Sequence, residues 1–199
     1  PDAAVVTYVN STAAVKAESD ICCTSSNALE VVQSIPEEKI LFVPDKNLGQ
    51  YVASKTDKEI ITWDGYCNTH QRVEADKIKK VRNKYPQAPV LIHPECVEEV
   101  VELADYVGST AGILEYARKS DADTLIIGKE KKLIKRMKEK NPDKIFFILK
   151  PRLICPNIKK NDLNKVINSL KNMETQIELE DNIRERAAGA LNRMLELTN

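Results

Sequence analysis

The sequence has no stretch approaching the roughly 20 consecutive apolar residues that a helix needs to cross a bilayer, which excludes a helical membrane span. It also has no net charge. Its 30 basic residues cancel its 30 acidic ones, so the strong positive field of a general nucleic-acid binder is absent. Glycine (six residues) and aromatic side chains (5%) are scarce while lysine and glutamate abound, a composition resembling that of thermophile proteins. Pro1-Asp2-Ala3-Ala4 runs directly into an apolar strand with no apolar leader, so a further natural segment is expected upstream. The five cysteines are odd in number. Together these features predict a reducing, cytoplasmic setting, in which clustered cysteines serve metal or redox chemistry more often than disulfides. With 199 residues, 42% of them hydrophobic, the chain can bury a core without crosslinks.

Apolar runs of strand type alternate with amphipathic stretches, the pattern of α/β units around a parallel sheet. Eight strands are predicted, near Val5 to Val9, Asp20 to Cys23, Ile40 to Val43, Glu59 to Trp63, Pro89 to Ile92, Asp105 to Val107, Thr124 to Ile127 and Ile145 to Leu149. Helices fill the gaps. In the segment from Lys129 to Lys140, Leu133, Ile134 and Met137 share one face and lysines cover the rest, the mark of a helix lying on a core.

The sequence repeats itself. An ungapped shift of 85 residues pairs Ala3 with Ala88, Val5 with Val90, Val15 with Val100, Asp20 with Asp105, Leu29 with Leu114, Glu30 with Glu115 and Ile60 with Ile145, and sets Thr24-Ser25 on Ser109-Thr110. Four predicted strands of the first half then fall on four of the second. The expected fold is α/β: repeated three-layer αβα units with four-stranded parallel sheets related by pseudo-symmetry, residues 1–86 forming the first and 87–199 the second with C-terminal helices. Those helices are expected over Lys160 to Met173 and Ile177 to Leu197. In the latter, Leu179, Ile183, Ala187, Leu191 and Leu195 make a stripe for packing on the domain faces.

In open parallel sheets, ligands bind outside the carboxyl ends of the strands, and here those ends are polar. Tyr8-Val9-Asn10 follows the first strand of one unit and His93-Pro94-Glu95 the first strand of the other. Thr24-Ser25-Ser26-Asn27 and Gly108-Ser109-Thr110 follow the second strands, where helices should begin, and hydroxyls with free N–H groups there suit a carboxylate or phosphate. Tyr8 to Ser25 spans the same 17 residues as His93 to Thr110, so the units offer two similar half-sites. The competing reading makes the Ser and Thr residues plain helix caps and His93 a hydrogen-bonded core residue.

Cys67 and Cys155 each lie just past a fourth strand, 88 residues apart. Thiols so placed in pseudo-symmetric units face a common centre, as for an iron–sulfur cluster whose unligated iron binds substrate oxygen as a Lewis acid. Two thiolates are too few, and a third would come from a third copy. Cys22 and Cys23 sit inside a predicted strand as small core residues, while Cys96 reads either way. A rival set, Cys67-x-x-His70 with His93-x-x-Cys96, could hold zinc tetrahedrally in a zinc-stabilised, small-anion-binding module without catalysis. The lysine-rich surface from Lys129 to Lys160 could also bind anions or nucleic acid, although charge runs are usually solvated helix faces.

Tyr8-Val9-Asn10, Ala17-Glu18-Ser19-Asp20 running into Thr24-Ser25-Ser26-Asn27-Ala28, Trp63-Asp64-Gly65-Tyr66-Cys67 with His70, and His93-Pro94-Glu95-Cys96 together resemble the quinolinate synthase family. The resemblance covers essentially the whole chain, as the second and third of that family's three pseudo-equivalent domains. It implies condensation of iminoaspartate, supplied by L-aspartate oxidase, with dihydroxyacetone phosphate to give quinolinate in de novo NAD biosynthesis, on a [4Fe-4S] cluster with one open iron. Carried over by motif, Cys67 and Cys155 are cluster ligands; Tyr8, Val9, Asn10, Ser25, His93, Pro94, Glu95 and Thr110 bind substrate; and Tyr8, His93 and Glu95 are catalytic. The family's first domain, with the third cysteine ligand, has no counterpart in these residues, so the chain alone is expected not to hold a stable cubane.

Overall fold

The computed structural model describes residues 2–129, 132–149 and 153–198. Its first unit contains β1 (Ala4–Tyr8), α1 (Ala13–Ala17), β2 (Ile21–Cys23), α2 (Ala28–Ser34), β3 (Lys39–Val43), α3 (Lys46–Ala53) and β4 (Glu59–Thr62). After α4 (Ala75–Lys84), the second contains β5 (Val90–Ile92), α5 (Glu98–Val101), β6 (Tyr106–Val107), α6 (Thr110–Lys119), β7 (Thr124–Gly128), α7 (Lys132–Lys140) and β8 (Ile145–Ile148). Two helices, α8 (Leu163–Asn172) and α9 (Asp181–Leu197), follow. The helix predicted from Lys129 is described over Lys132–Lys140; residues 130 and 131 lie outside the described residues.

Both sheets are four-stranded and parallel, in the orders β2-β1-β3-β4 and β6-β5-β7-β8. Helices on both faces explain why the central strands read as nearly continuous apolar runs. Val6, Ile40, Phe42, Leu91, Ile92, Leu125, Ile126 and Ile127 are completely buried. The units share fine detail as well. Asp20 Oδ2 accepts from Val5 N at 2.7 Å, and Asp105 Oδ2, 85 residues on, accepts from Val90 N at 2.8 Å.

The ungapped pairing of Ile60 with Ile145 does not hold. Leu41 sits beside Ile61 and Ile40 beside Ile60, whereas Leu125 sits beside Phe146 and Thr124 beside Ile145. The counterpart of Ile60 is therefore Phe146, which is buried where Ile145 is exposed. One extra residue before β8 shifts the register, and a single-residue slip exchanges the two faces of a strand.

The last helix returns to the first unit. Ala190 and Met194 join the core formed by β1, β2 and β3, with Leu191 packed against it. Arg193 Nη1 donates to the Asp20 carbonyl at 2.9 Å. The packed face is Ala187, Ala190, Leu191 and Met194, in place of the expected stripe: Leu179 precedes the helix and Leu195 is exposed. An every-fourth-residue stripe drifts around a helix of 3.6 residues per turn, and the small Ala187 and Ala190 permit close approach to α1. By contrast α8 buries none of its residues, and Leu163 and Leu170 are exposed. No helix among the described residues is long and apolar enough to cross a membrane.

Candidate active site

All eight strands send their carboxyl-terminal loops to one cavity of about 1090 Å³ between the two units. Its lining includes Tyr8, Ser25, Asp45 and Cys67 from the ends of β1 to β4, and His93 with Glu95, Thr110, Lys129 and Cys155 from the ends of β5 to β8. Asn10, Thr69, His70, Arg136, Asn157 and Asn161 add further polar groups to the wall. In each sheet the strand order reverses between the first and third strands, the switch point at which open α/β sheets bind ligands.

Glu95 is buried beside the Nδ1 edges of two imidazoles. Its Oε2 lies 2.7 Å from His70 Nδ1 and 3.4 Å from His93 Nδ1. The rings stack, with centroids 4.4 Å apart and planes 14° from parallel. His93 Nδ1 accepts the Glu95 backbone N–H at 3.3 Å, which leaves a neutral ring's proton on Nε2. The 3.4 Å contact is therefore no ion pair. Burial, with Lys129 and His70 adding to it, holds the His93 pKa well below the usual histidine value. Burial also lowers that of His70, against the opposing pull of Glu95. Both rings are accordingly neutral near pH 7.

Tyr8 reaches the same space from the opposite unit. Burial, then the Glu95 carboxyl, pushes its phenol up to about 12, with Ser25 opposing, so it keeps its proton at neutral pH. Ser25 is not a helix cap: Asn27 holds that position before α2, with its Oδ1 accepting from Thr24 N and Oγ1. Ser109 is one, its hydroxyl accepting from Gly112 N at 3.2 Å, while Thr110 faces the cavity from the first turn of α6. Val9 packs against the first core, and neither it nor the buried Pro94 is among the lining residues. Their neighbours supply the polar groups.

Cys67 and Cys155 are half-buried free thiols on the wall of the same cavity. Burial raises the Cys67 pKa, the local backbone N–H groups opposing. The loop that carries Cys67 is pinned to the start of α3. Asp45 caps α3 by accepting from Leu48 N at 2.8 Å, and its second oxygen accepts from Cys67 N at 2.8 Å. A Cβ on Gly65 would meet the Pro44 carbonyl oxygen at 2.4 Å, so only glycine fits there. Asn47 ties the units together, donating through Nδ2 to the Glu95 carbonyl and to Gln71 Oε1, both at 3.0 Å.

Three of these residues escape sequence reasoning: Asp45, Asn47 and Lys129. Asp45 carries a faint signal, since an Asp between a strand and a helix suggests a cap. The zinc set read from the sequence is corrected. Cys96 is buried with Sγ 3.9 Å from the Gly128 carbonyl, outside the cavity lining. His93, stacked face to face on His70, cannot aim an in-plane lone pair at the same point as its neighbour. The donors that do gather are those of Cys67, His70 and Glu95, all within 4.8 Å of one another.

A family model described as quinolinate synthetase A protein matches residues 1–196. The chain is 49% identical over 199 residues to a quinolinate synthase of Caldicellulosiruptor saccharolyticus, covering 100% of this chain and 66% of that protein. It is 50% identical over 195 residues to one of Geotalea uraniireducens (98% and 64% covered), and 47% identical over 198 residues to quinolinate synthase 2 of Methanosarcina acetivorans (100% and 64%). It thus spans 64 to 66% of the length of these relatives.

Proposed function

The chain belongs to the quinolinate synthase family, and from that premise we propose that it forms part of an enzyme condensing iminoaspartate with dihydroxyacetone phosphate to quinolinate, releasing phosphate and water. The observation that carries the reading is the meeting of Tyr8 from one unit and Glu95 from the other in one cavity. Residues 1–86 and 87–199 are then two of three domains, acting in the cytoplasm on iminoaspartate supplied by L-aspartate oxidase.

The donor set fits part of a [4Fe-4S] cluster. Cys67 and Cys155 offer two free thiols to a shared cavity, and the third ligand belongs to the part of the relatives' length that this chain does not span. When bound, the cluster supplies an open iron as a Lewis acid for substrate oxygen. The protein's own residues do the remaining work. Ser25 and Thr110 hold carboxylate or phosphate oxygens, with the buried Lys129 ammonium balancing their charge. Tyr8, protonated at neutral pH, donates a proton, and Glu95 moves protons during isomerisation, elimination and ring closure. His93 donates through Nε2, and Asn10, Val9 and Pro94 shape the substrate-binding loops.

The test uses the complete protein. Tyr8→Phe should leave the cluster's absorption intact while lowering turnover by roughly 10²–10⁴-fold, the usual worth of a positioned proton donor. Unchanged turnover refutes a catalytic Tyr8.

A further inference from the structure

One group of cavity residues has a geometry that the proposed condensation does not require. Cys67 offers a sulfur, His70 a ring nitrogen and Glu95 a carboxylate oxygen, all within 4.8 Å of one another. Zinc-class ions bind sulfur at about 2.3 Å and nitrogen or oxygen at about 2.0–2.2 Å, so tetrahedral ligands lie roughly 3.3–3.6 Å apart. Meeting that spacing needs separations in the group to change by up to roughly 1–1.5 Å, within reach of side-chain rotation.

His70 is the second, independent sign. It is 6% exposed, and its Nε2 makes no hydrogen bond. Leaving a buried polar group without a partner is destabilising, so the ring calls for another partner. Nδ1 already has Glu95 Oε2 2.7 Å away, so Nε2 is the nitrogen left for an ion. The ligands are also held in advance, since Asp45 anchors the Cys67 backbone and Asn47 the Glu95 carbonyl. All three residues line the open cavity, which leaves an entry route and a fourth position for water.

We propose that the metal-free chain binds a single divalent ion of the zinc class through Cys67, His70 and Glu95. The mixed sulfur, nitrogen and oxygen set suits Zn²⁺, Co²⁺ or Fe²⁺ and discriminates against Mg²⁺ and Ca²⁺. The site stands independently of the iron–sulfur reading, but the two compete: a single ion here takes up a thiolate assigned to the cluster and a carboxylate assigned to catalysis.

The test titrates the reduced, metal-free 199-residue chain with Co²⁺ and then displaces it with Zn²⁺. One equivalent should bind, with the intense d–d bands of a tetrahedral site and a thiolate-to-cobalt charge-transfer band. Cys67→Ser should abolish the charge-transfer band. His70→Asn and Glu95→Gln, checked for native far-UV circular dichroism, should each weaken Zn²⁺ by more than the roughly 10–100-fold that loss of an outer-shell partner costs. Cys155→Ser should change neither stoichiometry nor spectrum. No Co²⁺ binding by the unaltered chain overturns the proposal, as does a spectrum that survives His70→Asn and Glu95→Gln but vanishes with Cys155→Ser. Iron–sulfide reconstitution of the complete protein reads the other proposal separately, because there Cys155→Ser should destroy the cubane.

Discussion

At the end of β1 the first unit carries Tyr8-Val9-Asn10, and at the equivalent end of β5 the second carries His93-Pro94-Glu95. After β3 comes the acid Asp45; after β7 comes the ammonium of Lys129. Behind these ends the units agree closely, down to the aspartates that accept the backbone N–H of Val5 and Val90. The contrast follows from what each position must do. Residues within the sheet have buried backbone groups that must be paired, so the solution found once serves both copies. Loops at the strand ends bear little of the packing and are free to diverge. Because the cavity lies between the units, their divergence combines into one site, with a protonated phenol from one side meeting a carboxyl from the other.

The largest effect expected from this division of labour concerns turnover. Glu95→Gln in the complete protein should lower it by about 10²–10⁴-fold, as for Tyr8→Phe. If the two groups act as one unit across the interface, the double variant is hardly slower than the worse single variant. Multiplicative losses break the comparison, because each unit would then be contributing separately.

The next effect tests the acid at the end of β3. Burial pushes Asp45 from 3.8 up to about 6, so folding favours its protonated form. Its contribution to stability is full below about pH 4 and is lost as pH rises through about 6, with an upper bound of about 3 kcal/mol for a shift of this size. Asp45→Asn should flatten the urea-denaturation profile between about pH 4 and 6. It should also cost roughly 1–3 kcal/mol, because one amide oxygen cannot accept from both Leu48 N and Cys67 N. An unchanged slope in the variant assigns the titration elsewhere.

The same division decides what can be read from sequence. Strands buried on both faces appear as apolar runs, and the duplicated framework appears as a repeat, because burial constrains residue type at every position. The residue inserted before β8 is invisible to an ungapped shift, and only the pairing of Leu125 with Phe146 exposes it. Polar residues at the strand ends announce a site without its internal pairings. Lys129 reads as the start of a solvated lysine run because nothing local signals its burial. Likewise, Cys67-x-x-His70 suggests a metal pair, yet the third donor is Glu95 in place of His93, since stacking of the two rings is a tertiary event.

The smallest effect bears on the shared framework itself. Asp20→Ala and Asp105→Ala each remove the acceptor for one backbone N–H at the start of a central strand. A bond of this kind is worth about 1 kcal/mol net, and more where the stranded donor is sealed from water. Val5 N lies in an exposed setting and Val90 N in a partly buried one. Asp105 also pairs with Arg82, an exposed contact worth little. Urea denaturation should therefore give losses of about 1 kcal/mol for Asp20→Ala and somewhat more for Asp105→Ala. If either substitution is neutral, the aspartates are matched in sequence alone, and the equivalence of the units rests on strand packing.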